Sequence, residues 1–238
     1  MRRGSLERIY THIDYILVRH GRQLLLLAVA VAVLSVYSAL NPQFYQATVI
    51  GFSMLLPLLA AGIASTGPAA ELSRGETQVY LAEGLTRAEY LASWLAVLSL
   101  YTAAAVDLTI VVPAAIIDPV ALTESVVRDA LVYSTLACIA YGSLAAMYAA
   151  IIARPGAVSG AVLIHTLAAP VAAAMYAGLA GAEPEAIVYL VAPLNPVTVY
   201  VAKLAGVAFN EPLAAAETLA ATLAYTLGAW AAAKRREV

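Results

Sequence analysis

From Ala130 to Ile152 the chain runs 23 residues without one charged side chain. As a helix, a run of that length rises about 34 Å, enough to cross the roughly 30 Å hydrocarbon core of a bilayer. Five further stretches are long and strongly apolar as well, at about 24–40, 47–69, 91–117, 157–178 and 213–233. Six such runs in 238 residues leave too little polar surface to cover a water-soluble core, and the composition agrees: 63% hydrophobic, 12% charged, mean hydropathy +0.84. A segment in lipid must satisfy its own backbone hydrogen bonds, so these runs predict an all-α integral membrane protein with six transmembrane helices. The whole chain, 1–238, reads as a single transmembrane domain.

Residues 1–22 precede the first run. Leu6, Ile9, Tyr10, Ile13, Ile16 and Leu17 recur there at helical spacing, with most charges elsewhere around the wheel. This is the pattern of an N-terminal interfacial helix lying in the headgroups. Twenty-three polar or amphipathic residues before the first apolar run argue against a cleavable signal peptide. Pro57 falls inside the second run and predicts a kink. Arg154-Pro155-Gly156 leaves only a tight turn between the fourth and fifth runs, so these two should lie antiparallel.

Residues 183–212 are apolar at their centre, but Pro193 and Pro196 break them, and Pro184, Pro196 and Pro212 suit the first turns of separate short helices. Charge parity decides their placement. With six spans, both termini and the loops at 71–90 and 154–156 share one side, which then holds 11 of the 13 Lys and Arg residues. That side is the cytoplasm by the positive-inside rule, and a seventh span would carry the Lys234-Arg235-Arg236 end away from it. Residues 183–212 then form an external cap or a re-entrant helical segment.

The longest polar interruption, Glu71 to Val97, falls on the cytoplasmic side. Ser73 with Glu76, and Thr86 with Glu89, each have the spacing of a capping box, in which two side chains satisfy backbone N–H groups at the start of a helix. Gly84 between them suits a left-handed helix end. The reading is a short helix from Arg74 to Glu83, a sharp turn, and a second helix starting at Arg87. Gln78, Leu81, Ala82 and Leu85 give the short helix a face suited to docking.

Several chemistries are absent from the sequence. No G-x-x-x-x-G-K-[ST] loop occurs, so the chain carries no phosphate-binding loop of that kind; H-E-x-x-H, C-x-x-C and EF-hand patterns are absent too. Cys138 is a lone cysteine within an apolar run and reads as a small packing residue. Ser159 and His165 invite comparison with a serine–histidine dyad, but six residues along one helix put them about 600° apart in rotation, out of mutual reach. Asp107 and His165 are ionisable groups inside expected spans, which makes them candidates for a substrate or ion path as well as for structural pairing. Arg128 or Lys203 would be the partner of Asp107 in the structural case.

The polar loop resembles the membrane subunits of the ABC type-2 exporter family. Those permeases show a Glu at the end of the second span, then Gly-Thr, a leucine-rich turn, Pro-x-Ser-Arg, and a Gly-Lys opening the third span. Without gaps, Glu71 falls on the Glu, Gly75 on the Gly, Leu81 and Ala82 on the leucine-rich turn, Thr86-Arg87 on the Ser-Arg, and Glu89 on an acidic position beyond. Glu76 stands where Thr is usual, Gly84 where Pro is, and Ser93-Trp94 where Gly-Lys would be. The resemblance extends to the interfacial helix, the six-span layout and the Leu194-Asn195-Pro196 element before the last span.

The resemblance implies a permease with both termini in the cytoplasm of a multi-pass cell-membrane protein. It would pair with a second permease subunit and dock on a separate cytoplasmic ABC ATPase through Glu71, Arg74, Gly75, Glu76, Gln78, Leu81, Ala82, Leu85, Arg87 and Glu89. Such a chain binds no cofactor and no nucleic acid, and hydrolyses no ATP itself. A secondary, ion-coupled transporter using Asp107 and His165 is the competing expectation, although the halves show no inverted repeat. An intramembrane enzyme would need a reactive pair that the sequence does not show.

Overall fold

The computed structural model describes residues 4–40, 59–101, 103, 111, 115 and 125–235, and these residues form helices and turns with no strand among them. In chain order the helices are α1 (Ser5–Leu40), α2 (Pro68–Arg74), α3 (Glu76–Ala82), α4 (Arg87–Ala96), α5 (Ser125–Ile152), α6 (Pro155–Leu179), α7 (Pro184–Val191), α8 (Val197–Leu204) and α9 (Glu211–Arg235). Residues 59–66 are helical as well, and lead into α2. The expected spans at 47–69 and 91–117 lie partly outside the described residues, with Pro57 and Asp107 among those omitted.

Among the described residues, two helices are long and apolar enough to cross a membrane, Leu131–Ile152 within α5 and Pro155–Leu179, with mean hydropathies of 1.8 and 1.7. They differ in setting. The most apolar stretch of α5 is 61% buried, whereas that of α6 is only 22% buried. Tyr176 and Leu179 of α6 are 77% and 88% exposed, and Ile164, Val171 and Met175 are exposed beside them. A helix this apolar with its side chains turned outward needs an apolar surround or a partner to cover it.

The core runs along α5. Its alanine-rich face, Ala137, Ala145, Ala146 and Ala149, packs with Cys138, Tyr141 and Leu144, all buried. Small residues let backbones approach, and Gly142 marks one such close approach: a Cβ there would lie 2.4 Å from Ser99 Oγ and 3.2 Å from the Leu98 carbonyl carbon. α9 packs along α5 more extensively than any other described pair of helices does. The turn between α5 and α6 is as tight as the Arg154-Pro155-Gly156 sequence predicts, with Ala153 at φ 48° and Pro155 in the first turn of α6.

Three sequence expectations change. α1 is one continuous 36-residue helix, where an interfacial helix over 1–22 and a separate span from 24 were expected. Gly21 is tolerated inside a helix and is no break without a turn partner. The expected Arg74–Glu83 helix starts later, as α3 from Glu76, because Gly75 adopts a left-handed conformation at φ 72° that ends the preceding α2 at Arg74. For the same reason Ser73 caps nothing: it stays inside α2, and its hydroxyl donates to the Ala70 carbonyl at 2.8 Å. The region at 183–212 is a pair of short helices, α7 and α8, as the prolines suggest.

Candidate functional site

The polar loop folds as a buttressed turn. α4 opens with a true capping box: Thr86 Oγ1 accepts from the Glu89 N–H at 3.2 Å, and Glu89 Oε2 accepts from the Thr86 N–H at 2.8 Å. Gly84 precedes it at φ 97°, a conformation open to glycine at little cost. Glu89 does more than cap. Its carboxylate takes Nε and Nη2 of Arg8 in a bidentate pair at 3.1 and 2.6 Å, and the Ser5 hydroxyl at 2.5 Å. The Arg8 bonds, more than any other influence, hold the Glu89 carboxyl down to about 2. α1 is thus tied to the first turn of α4.

A second tie lies one turn of the loop earlier. Glu71 is 1% exposed. Its Oε2 accepts from Tyr90 Oη and from Trp94 Nε1, both at 3.0 Å, and its Oε1 stands 3.6 Å from Nη1 of Arg19. Burial pushes its carboxyl above the usual range, against the pull of Trp94, Tyr90 and Arg19. Arg19 also donates to Glu76 Oε1 at 2.9 Å and to the hydroxyls of Tyr15 and Tyr80 at 2.8 and 3.0 Å. The Arg19 bond holds the Glu76 carboxyl below its ordinary value. The third tie is to the far end of the chain: Arg87 Nη1 donates to the Lys234 carbonyl at 3.0 Å, one of the carbonyls left over at the C-terminus of α9.

The expected docking residues therefore divide. Glu71, Leu85 and Glu89 are buried and act as internal struts. Glu76 and Arg87 are committed to Arg19 and to the end of α9. Leu81 is half-buried, and Gly75 serves as the joint. Arg74, Gln78 and Ala82 face outward, joined by Val79 and Glu83, which the sequence reading passed over.

His165 lies in a different place. Its Nε2 is 2.8 Å from Tyr225 Oη and its Nδ1 is 3.2 Å from Tyr148 Oη, with Tyr225 Oη donating onward to the Pro193 carbonyl at 3.1 Å. It sits in a π-helical segment, Ile164–Ala168, just ahead of Pro170. Pro170 has no N–H, so the Thr166 carbonyl loses its helical partner. Asn195 Nδ2 supplies the missing donor at 2.8 Å, while Asn195 Oδ1 accepts from Tyr141 Oη and from the Val197 N–H. Asn195 thereby fastens the α7–α8 turn to α5 and α6. Ser159 donates to the Ala61 carbonyl at 3.3 Å.

At the opposite end from the buttressed turn, Lys203 Nζ joins Asp129 at 2.8 Å and Glu211 at 2.9 Å, closing the cap onto the starts of α5 and α9. Both carboxylates raise the Lys203 pKa. Asp107 lies outside the described residues. Glu217 escaped the sequence reading although it, too, falls in an expected span; its Oε2 is buried with no hydrogen-bond partner among the described residues. A search for acids inside the last span finds it. Arg8, Arg19 and Trp94 left no such mark, because their partners are 81, 57 and 23 residues away.

No known family profile matches the chain, and neither does any curated protein.

Proposed function

We propose that the chain is the permease subunit of an ATP-driven exporter of the ABC type-2 kind, a multi-pass protein of the cell membrane with six spans and both termini in the cytoplasm. One observation carries the reading. α3 is only seven residues long and yet is braced from behind on α1 through Arg19, while its outer surface presents Gln78, Val79, Ala82 and Glu83, with Val79 56% exposed. A short helix held rigidly with an apolar side chain facing outward is built to take a load from a partner. The sequence holds no phosphate-binding loop, so that partner brings the ATP chemistry. Closing of paired ATPases would press α3, and the struts would pass the displacement into α1 and α4; the shift is bounded by the contact energy delivered there. A second permease subunit would cover the outward apolar side chains of α6, or lipid would.

The test is purification from the native membrane. A soluble ATPase carrying a phosphate-binding loop should accompany the wild-type chain and be lost from Val79→Asp, while Ser5→Ala, on the inner side of the strut, keeps it. Retention of the ATPase by Val79→Asp overturns the docking assignment.

The hydrogen-bonded Tyr148–His165–Tyr225 series favours one other reading, an ion-coupled carrier using His165 with Asp107. Transport driven by an ion gradient alone in proteoliposomes, abolished by Asp107→Asn, would select it.

A further inference from the structure

The two faces of α9 differ in chemistry. One is buried in the bundle through Ala214, Thr218, Thr222 and Ala229. The other points outward with Leu213, Leu219, Leu223, Leu227 and Trp230, and the remaining exposed positions between Leu213 and Trp230 are alanines. The one acid in that interval, Glu217, has its Oε2 buried. Mean hydropathy singles out α5 and α6 among the described helices and passes over α9, because Glu217 and three threonines offset the leucines. The outward stripe is nevertheless wholly apolar. At 1.5 Å per residue it runs about 26 Å, close to the roughly 30 Å of a bilayer's hydrocarbon.

The stripe ends in charge of one sign. The Lys234 ammonium lies 5.2 Å over the Trp230 ring, and Lys234 and Arg235 are exposed with no carboxylate partner among the described residues. Arg87 reaches the same turn from α4, its Nη1 donating to the Lys234 carbonyl at 3.0 Å. Three cations thus converge where the helix dipole supplies only about half a negative charge. An exposed Trp beside cations is the pattern of a bilayer interface, where a Lys stem lies along apolar surface and its ammonium faces the headgroups. A second copy of this chain is the poorer cover. Two copies sharing one membrane orientation and meeting on this stripe would bring their Lys234 and Arg235 side chains together, and like charges side by side oppose contact.

We infer that the outward face of α9 lies against lipid and seats an anionic phospholipid, its acyl chains along Leu223 and Leu227 and its phosphate at Lys234, Arg235 and Arg87. The inference rests on the membrane reading and needs neither the ATPase partner nor the transport mechanism.

The chain has two tryptophans and Trp94 is buried, so the fluorescence lost in Trp230→Phe reports on Trp230. In nanodiscs, bromine placed high on a lipid acyl chain should quench that component more than bromine at the chain end. In reciprocal mixtures, brominated phosphatidylglycerol should quench at a mole fraction at least about fivefold lower than brominated phosphatidylcholine, the effect of one cation at a membrane surface. Lys234→Gln with Arg235→Gln should bring the two lipids to parity, while Arg128→Gln, at the start of α5, leaves the preference intact. A Trp230 that no bromolipid quenches in a chain embedded in nanodiscs, equal quenching by the two lipids, or a preference that survives the double variant overturns the inference. A chain that stays in solution without detergent or lipid overturns the membrane reading, and the inference with it.

Discussion

Glu71 and Glu89 are carboxylates buried beneath the same turn, yet protons act on them in opposite senses. Glu89 has its pKa depressed to about 2 by Arg8, so its contribution to stability is fully present above the ordinary carboxylate value of 4.5 and is lost as pH falls toward 2. Glu71 has a raised pKa, so stability declines as pH climbs from 4.5 through its folded value. Thermal melts in detergent across pH should separate them. Glu89→Gln loses stability at neutral pH and shows a flatter acid limb, whereas Glu71→Gln, whose amide oxygen still accepts from Tyr90 and Trp94, flattens the limb above pH 4.5. Thr86→Ala, which removes half of the capping box, should cost about 1 kcal/mol. Thr86 and Glu89 were legible because a capping box is local, three residues end to end. The burial of Glu71 was not, since Arg19, Tyr90 and Trp94 reach it only after the helices pack.

At the scale of elements, glycines and prolines explain most of what sequence could and could not show. Pro184, Pro196 and the Arg154-Pro155-Gly156 turn mark real helix boundaries, because a proline at a helix start gives up an N–H that has no partner there. Gly75 misled, because a glycine between two capping residues can either lie inside a helix or end one, and the Ser73–Glu76 spacing looked the same in both cases. Two elements offer sharp tests. Gly142→Ala would drive a methyl group into Ser99 Oγ, and Gly67→Ala would bring one 2.3 Å from the Trp94 ring. Each should destabilise by about 1–3 kcal/mol in a detergent melt, and Gly156→Ala, with open space around it, should not. Asn195→Ala should cost about 1–3 kcal/mol by stranding the Thr166 carbonyl. Pro170→Ala restores the helical N–H, so adding it to Asn195→Ala should recover part of the loss, and a strictly additive pair would show that the carbonyl is satisfied some other way.

For the molecule as a whole, composition and run length called for helices and six spans; the described residues bear out the helices and two membrane-length segments, and the proposed sidedness has a direct test. Cys138 is buried, so an introduced cysteine is the one that a membrane-impermeant maleimide meets. Glu185→Cys in α7 should label in intact cells, and Glu83→Cys only after the membrane is opened; the reverse would invert the topology. α1 adds a constraint that sequence did not carry. Thirty-six continuous helical residues extend about 54 Å, longer than a 30 Å hydrocarbon layer is thick, so in the proposed topology the first turns of α1 stand clear of the bilayer. Those turns hold Arg8 and Arg19, and α4 between Arg87 and Glu89 grips both Arg8 near the beginning of the chain and Lys234 near its end. Mechanically, the first turn of α4 is a fulcrum shared by the earliest and latest helices of the sequence. A nudge there cannot tilt one arm alone, and a probe fused to either terminus reports on the same pivot.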